Sequence, residues 1–193
     1  MKKQKTLKEY YQESFSFISN SKKYIYSILL IFLAFAILGY FVSLPPEIEN
    51  IIKERLKEIT LLFEGLNLPQ TIWMIFSNNI YVSFLSLILG ILLGVFPVIA
   101  ALSNGFIIGY VMQKAVSIEG IFTLWKLFPH GIFELPAVIL SLGLGLRLGA
   151  TFIFRIRELR KDSRKALLVF TIIVTPLLIL AAIIEGLLVL FIK

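Results

Sequence analysis

Residues 71–116 read TIWMIFSNNIYVSFLSLILGILLGVFPVIAALSNGFIIGYVMQKAV and contain one charged residue, Lys114. At about 1.5 Å of rise per residue, this helix would be far too long for one crossing of a hydrocarbon core about 30 Å thick. Two spans, 76–96 and 98–114, joined by a tight turn near Pro97, fit the length. The stretch therefore predicts a membrane-spanning helical hairpin.

The composition of the whole chain agrees with a membrane protein. Of 193 residues, 58% are hydrophobic and 16% are charged, and the mean hydropathy is +0.90. Soluble domains carry about 25% charged residues. The absence of cysteine excludes disulfides, thiol catalysis and cysteine-based zinc sites. The net charge of +7 comes from basic blocks beside apolar segments, so it indicates membrane topology and no nucleic-acid partner.

Three further apolar segments predict additional spans, at 24–44, 129–154 and 166–192. The first is too long for a cleaved signal peptide and is followed by Pro45-Pro46, so we expect it to be retained. The last contains Pro176, where we expect a kink. The predicted fold class is an all-α membrane protein, a polytopic bundle of about five transmembrane helices within residues 24–193.

Two segments have the pattern of amphipathic interfacial helices. Residues 1–23 combine lysines with apolar residues at helical spacing, which favours a helix on the membrane surface over a frayed basic tail. Residues 47–66 carry an apolar residue every three or four positions among charged ones. Because its polar face could not lie in lipid, the 47–66 helix should lie at the outer interface or cover the mouth of the bundle.

The distribution of lysine and arginine predicts the orientation. With five spans and a cytoplasmic N-terminus, 12 basic residues lie inside and 6 outside, leaving Arg147 unassigned. If 71–116 were a single span, the basic cluster at 155–165 would fall outside and the bias would vanish. The positive-inside rule therefore favours five spans in the cell membrane with the N-terminus in the cytoplasm.

Polar side chains within spans are costly and are functional candidates by default. Here they are Asn78, Asn79, Asn104, His130, Glu134, Arg147 and Glu185. His130 and Glu134 share a helix face and could bind a metal, relay protons or form a structural hydrogen-bonded pair. A catalytic zinc usually needs three protein ligands, and the chain has no other histidine, so we expect no enzyme, metal or cofactor.

The other polar candidates have structural interpretations. The Arg147 side chain is expected to snorkel to the headgroups, and Glu185 to face the bundle and find a donor. Asn104 could cap or join helices, and Asn78-Asn79 could lie at the interface where the second span begins. Closely spaced glycines predict tight helix packing at Gly90, Gly94, Gly105, Gly109, Gly143, Gly145 and Gly149. Three Gly-x-x-x-Gly patterns exceed what one five-helix bundle requires, so self-association is expected.

The segment PHGIFELPA at 129–137, followed by the glycines of 143–149, resembles the stage II sporulation protein M family. Asn78-Asn79 and Asn104-Gly105 occur in the order expected of that family. The resemblance implies a five-span membrane subunit. The family's namesake anchors and organises partners that degrade peptidoglycan during engulfment in bacterial spore formation.

Together these features predict a non-enzymatic membrane scaffold or complex subunit. Its partners would be the lipid bilayer, further copies of itself and other membrane or envelope proteins. The polar set leaves open a transporter or channel component, and the His130–Glu134 pair leaves open a metal-dependent intramembrane hydrolase as a less favoured alternative.

Overall fold

The computed structural model describes the backbone of residues 5–191 and the side chains of 5–123 and 131–189. Its helices are α1 Leu7–Ser19, α2 Lys22–Phe41, α3 Pro46–Leu62, α4 Leu68–Leu89, α5 Val95–Glu119, α6 Leu124–Phe154, α7 Leu159–Val169 and α8 Thr175–Phe191. Short 3-10 turns occur at Ile121–Thr123 and Ile156–Glu158, and a π-helix occupies Phe170–Val174. No strand occurs among the described residues.

Among the described residues, five helical segments are long and apolar enough to cross a membrane. They are Lys22–Phe41, Leu68–Leu89, Val95–Glu119, Gly131–Phe154 and Ile156–Val189. The predicted all-α membrane fold is therefore confirmed. Helices α1 and α7 pack together at one end of the bundle, called here the basic end, and α3 lies at the opposite, far end.

Helix α1 begins with a capping box, in which Thr6 and Glu9 each satisfy the other's backbone N–H. Its buried residues are Ser14 and Phe17, and it packs against α7. Leu7 and Phe15 remain exposed on another side of the helix. This helix therefore has one side against the bundle and an apolar side available to lipid.

The most extensive helix pair is α2 with α5. A Cβ atom on Gly105 would overlap the carbonyl oxygen of Phe32, and one on Gly109 would overlap that of Ala36. Gly39 of α2 lies equally close to the backbone of Phe106. The two backbones approach this closely because these positions have no side chain, which increases dispersion contacts between the helices.

The turn between α4 and α5 spans residues 90–94 rather than the predicted position near Pro97. Leu93 and Gly94 have positive φ angles of 59° and 72°, and the left-handed conformation of Gly94 ends the turn. Pro97 lies in the first turn of α5, where its missing N–H costs no hydrogen bond. The predicted boundary between the spans 76–96 and 98–114 is wrong, because Pro97 lies near the start of a helix and not in the turn.

Helix α4 likewise begins eight residues before the predicted span start of 76. Asn67 caps it, forming a capping box with Gln70, and Pro69 lies in its first turn. As a result Asn78 and Asn79 lie in the middle of α4, and the interfacial position predicted for them is wrong.

The last span contains a local widening before Pro176. Proline supplies no N–H and would clash with the carbonyl four residues earlier in a regular helix. The π-helix at Phe170–Val174 precedes it, and the Thr175 hydroxyl donates to the carbonyl of Phe170 at 3.1 Å. The helix thus accommodates the proline by a π turn, a known cause of local bending.

Helix α3 has no buried residue. One side carries exposed apolar residues, including Ile51 and Ile59. One link to the bundle is Glu49, whose carboxylate lies 2.8 Å from Lys114 of α5 and 2.7 Å from Lys53. Hydrogen bonds from Lys114 and Lys53 lower the pKa of Glu49 to about 2.

Candidate functional site: a buried arginine network

A charged network lies inside the basic end of the bundle, where α1, α6 and α7 meet. Arg147 of α6 donates from Nε to Asp162 Oδ2 of α7 at 3.1 Å. One of its terminal nitrogens donates to Ser21 Oγ at 2.8 Å and to the carbonyl of Phe17 at 3.4 Å. The guanidinium carbon lies 3.9 Å from the centre of the Phe17 ring. The arginine therefore joins α6 to α7 and to the junction between α1 and α2.

The partners of Arg147 are themselves satisfied. Ser21 accepts from the arginine and donates to the carbonyl of Phe17 at 2.6 Å. Asp162 accepts a second hydrogen bond from Thr151 at 3.1 Å. Because Asp162 lies in the first turn of α7, its negative charge is also favoured by the helix dipole. Every charge in the network thus has an opposite charge or a hydrogen-bond partner.

The expectation that Arg147 snorkels to the headgroups is wrong. Its side chain is 9% exposed and that of Asp162 is 4% exposed. Arg147 lies seven residues before the end of α6, about 10 Å of helix rise, and α1 and α7 cover it. An arginine in a dry site is retained only when its charge is paired. It pairs inward here because Asp162 follows in the next helix.

The two central asparagines form a small polar site on α4. Asn78 donates to Asn79 Oδ1 at 3.3 Å, and Asn78 is exposed. Tyr81 and Val82, one turn further along, are also exposed, which places all three on an outward face of the helix. This amide therefore faces outward near the centre of a span.

The remaining predicted polar residues lie apart from the network. Asn104 is half-buried on α5. Glu185 Oε2 on α8 is buried and accepts no hydrogen bond from any residue that the structure describes, so the donor expected for this glutamate is not found among them. Glu134 is half-buried on α6 and takes part in an interaction. His130 lies outside the residues whose side chains are described.

No group of three His, Cys, Asp or Glu residues suited to a metal occurs in the described part of the chain. Among the residues whose side chains are described, the buried charged ones are Arg147 and Asp162 of the arginine network.

The glycines singled out in the sequence are used for packing within the chain. Gly105 and Gly109 pack against the backbone of α2. Gly90 and Gly94, in the turn between α4 and α5, pack against α6 at Gly145, Leu146 and Gly149. Gly143 contacts the backbone of Ile25. All three Gly-x-x-x-Gly patterns are therefore used inside one bundle, and the expectation that they exceed its needs is wrong. Self-association stays a prediction that these glycines do not support.

Comparison with known proteins agrees with this architecture. Residues 28–189 match the family described as stage II sporulation protein M. The chain belongs to the stage II sporulation protein M family. An uncharacterized protein of Methanocaldococcus jannaschii is 34% identical over 177 residues, which cover 84% of this chain and 76% of the relative. No solved structure matches the chain significantly.

The family match includes Arg147, Thr151 and Asp162 but begins after Phe17 and Ser21. The network of this stage II sporulation protein M family member therefore joins the matched region to a helix that precedes it. Sequence reasoning missed Asp162, although one signal was present. It is one of two acidic residues in the basic cluster 155–165, and it follows Arg147 on the next helix.

Proposed function

We propose that this chain is a non-enzymatic integral membrane scaffold, a subunit of a larger assembly in the cell membrane. The observation that carries the proposal is the outward-facing amide of Asn78 in the middle of α4, whose hydrogen bond is to its neighbour Asn79. An amide has two donors and an acceptor, so most of its capacity is unused. In lipid that capacity is satisfied by a polar group on another transmembrane helix.

The orientation is part of this proposal. The excess of basic residues at the ends carrying α1 and α7 supports a cytoplasmic basic end and an extracytoplasmic α3. The namesake of the family is a membrane subunit that organises other proteins, which supports a scaffold role. Close backbone packing of α2 on α5 and of α4 on α6 supports a rigid bundle, as a scaffold requires.

The experiment is affinity purification from native membranes in mild detergent, with mass spectrometry of the proteins recovered. We expect either a reproducible partner or a second copy of the chain. Asn78→Leu removes the amide while suiting a lipid-facing position, and should abolish recovery. Asn78→Gln keeps the amide and is the matched control, which should retain the partner.

The size-exclusion profile and helical content of each variant establish that the bundle is intact. A wild-type protein that is recovered alone, and is monomeric in lipid nanodiscs, would contradict the proposal. Equal recovery with Asn78→Leu would contradict the role of the amide.

A transporter or channel component is the second candidate, favoured by Glu185. Its buried Oε2 accepts no hydrogen bond from the described residues, and such a carboxylate within a span is a possible ion ligand. Ion flux into proteoliposomes that is lost in Glu185→Gln would support transport. A wild-type flux equal to that of empty liposomes would reject it.

A further inference from the structure

A groove of about 1330 Å³ runs between α1 and the segment from α7 into the π-helix. Six cationic side chains line it: Lys5, Arg157, Arg160, Lys161, Arg164 and Lys165. One carboxylate, Glu13, also lines it. The groove is open to the outside of the bundle and adjoins the buried arginine network, since Lys165 lies 5.9 Å from the centre of the Phe17 ring that Arg147 also contacts.

The single acidic residue does not neutralise this positive charge. Glu13 forms an ion pair with Lys5, so the two charges cancel. The hydrogen bond from Lys5 lowers the pKa of Glu13, and the charges of Lys165 and Arg164 lower it further. This direction of the shift indicates a positive potential in the groove.

Apart from Lys5, which pairs with Glu13, five cationic side chains line the groove. All five lie within the nine residues from Arg157 to Lys165. None of them forms an ion pair with a carboxylate in the described part of the chain. Five like charges this close repel one another unless an anion lies among them. A bound anion would therefore stabilise the groove.

The groove continues from its charged part onto an apolar wall. Leu167, Leu168 and Ile172 line it beyond Lys165, and Leu167 is exposed. Leu168 is one helical turn from Lys165, and these residues belong to the segment that continues as the last span. The charged part thus lies at the edge of the membrane and the apolar wall extends into it.

We propose that this groove binds one anionic phospholipid, with its phosphate among the arginines and lysines and an acyl chain along the apolar wall. A ligand with an anionic head and a long apolar tail matches the order of residues in the groove. Free phosphate would use the cations and leave the apolar wall empty. The proposal stands independently of the scaffold role, because it concerns another surface of the molecule.

The test is a lipid titration of the purified full-length protein, followed by native mass spectrometry. Dioleoylphosphatidylglycerol is compared with dioleoylphosphatidylcholine, which has the same chains and no net charge. We expect one phosphatidylglycerol to bind at least tenfold more tightly. Arg160→Gln with Arg164→Gln should weaken that binding about 30-fold, since each basic residue near an anionic surface contributes about fivefold.

The control is Arg55→Gln with Lys57→Gln on α3, which removes the same charge at the far end. It should leave phosphatidylglycerol binding unchanged. Equal affinity for the two lipids, or equal losses in the two double variants, would overturn the proposal.

Two further outcomes would replace the ligand with another class. Displacement of phosphatidylglycerol by inorganic phosphate at similar concentration would assign a soluble-anion site. A protein that co-purifies with the wild type and is lost in the groove variant, while lipid binding is unchanged, would assign a protein-docking site. Helical content and size-exclusion profiles establish that both double variants are folded.

Discussion

Removing the charge of Asp162 should destabilise the bundle far more than removing a nearby surface charge. Asp162→Asn keeps an oxygen that can accept from Thr151, so the substitution isolates the loss of negative charge beside Arg147. Both side chains of the pair are more than nine-tenths buried. Breaking such a pair leaves an uncompensated charge and costs about 3–5 kcal/mol, and we expect about 3 kcal/mol here.

The matched control is Glu158→Gln, four residues earlier in the same segment. Glu158 lies 3.5 Å from Arg155, and their side chains are 51% and 46% exposed. Exposed ion pairs contribute less than about 1 kcal/mol. The two substitutions therefore make the same chemical change in pairs that differ in burial.

Unfolding in detergent micelles by a denaturing detergent, followed by far-ultraviolet circular dichroism, measures both losses. The combination of Arg147→Met with Asp162→Leu should recover most of the stability lost in Asp162→Asn, because no charge is then left buried. Losses of equal size in Asp162→Asn and Glu158→Gln would refute the reasoning. The reasoning would also be refuted if the double variant Arg147→Met with Asp162→Leu were as unstable as Asp162→Asn.

Two further predictions concern packing and pH. Gly109→Ala should cost about 1–3 kcal/mol because its Cβ would overlap the carbonyl of Ala36. Gly131→Ala should be neutral or slightly stabilising, because its Cβ would lie 3.6 Å from Leu135 Cδ1, an ordinary contact. The same unfolding assay measures both substitutions, and equal effects would contradict this expectation. The ion pair of Glu49 with Lys114 should hold α3 at neutral pH and weaken as the pH falls from about 4.5 toward 2, because the pKa of Glu49 is lowered in the folded state. Spin labels on α3 and α5 should show a distance distribution that broadens only in that pH range. In Glu49→Gln the distribution should already be broad at pH 7. Identical distributions in the wild type and the variant would contradict this role of the ion pair.

The sequence predicted the class of fold because hydrophobicity alone determines which segments can cross a membrane. It predicted helix boundaries less well, and proline and asparagine explain why. Pro69 and Pro97 both lie in first turns of helices, although a turn between two spans is the position predicted for Pro97. A proline near an apolar segment is compatible with either position, and only the capping residue before it, such as Asn67, distinguishes them.

The partners of charged residues were the hardest features to predict. Arg147 lies near the end of a span, where snorkelling and burial are both possible. The outcome depends on whether neighbouring helices cover that end, which is a matter of tertiary packing. Phe17 of α1 and Ser21, just after that helix, lie more than 120 residues away in the sequence. No local pattern in the chain relates these residues to Arg147.

The two ends of the bundle differ in how firmly their peripheral helices are held, and this bears on where an assembly can form. Helix α1 is attached through Phe17 and Ser21 to a buried ion pair, so displacing it would expose or strand the charge of Arg147. Helix α3 is attached through Glu49, at the surface, and has an uncovered apolar side. A partner that repositions α3 disrupts an ion pair at the surface, whereas one that repositions α1 must disrupt the buried network. We therefore expect rearrangement on assembly to occur at α3, with the basic end as the fixed part.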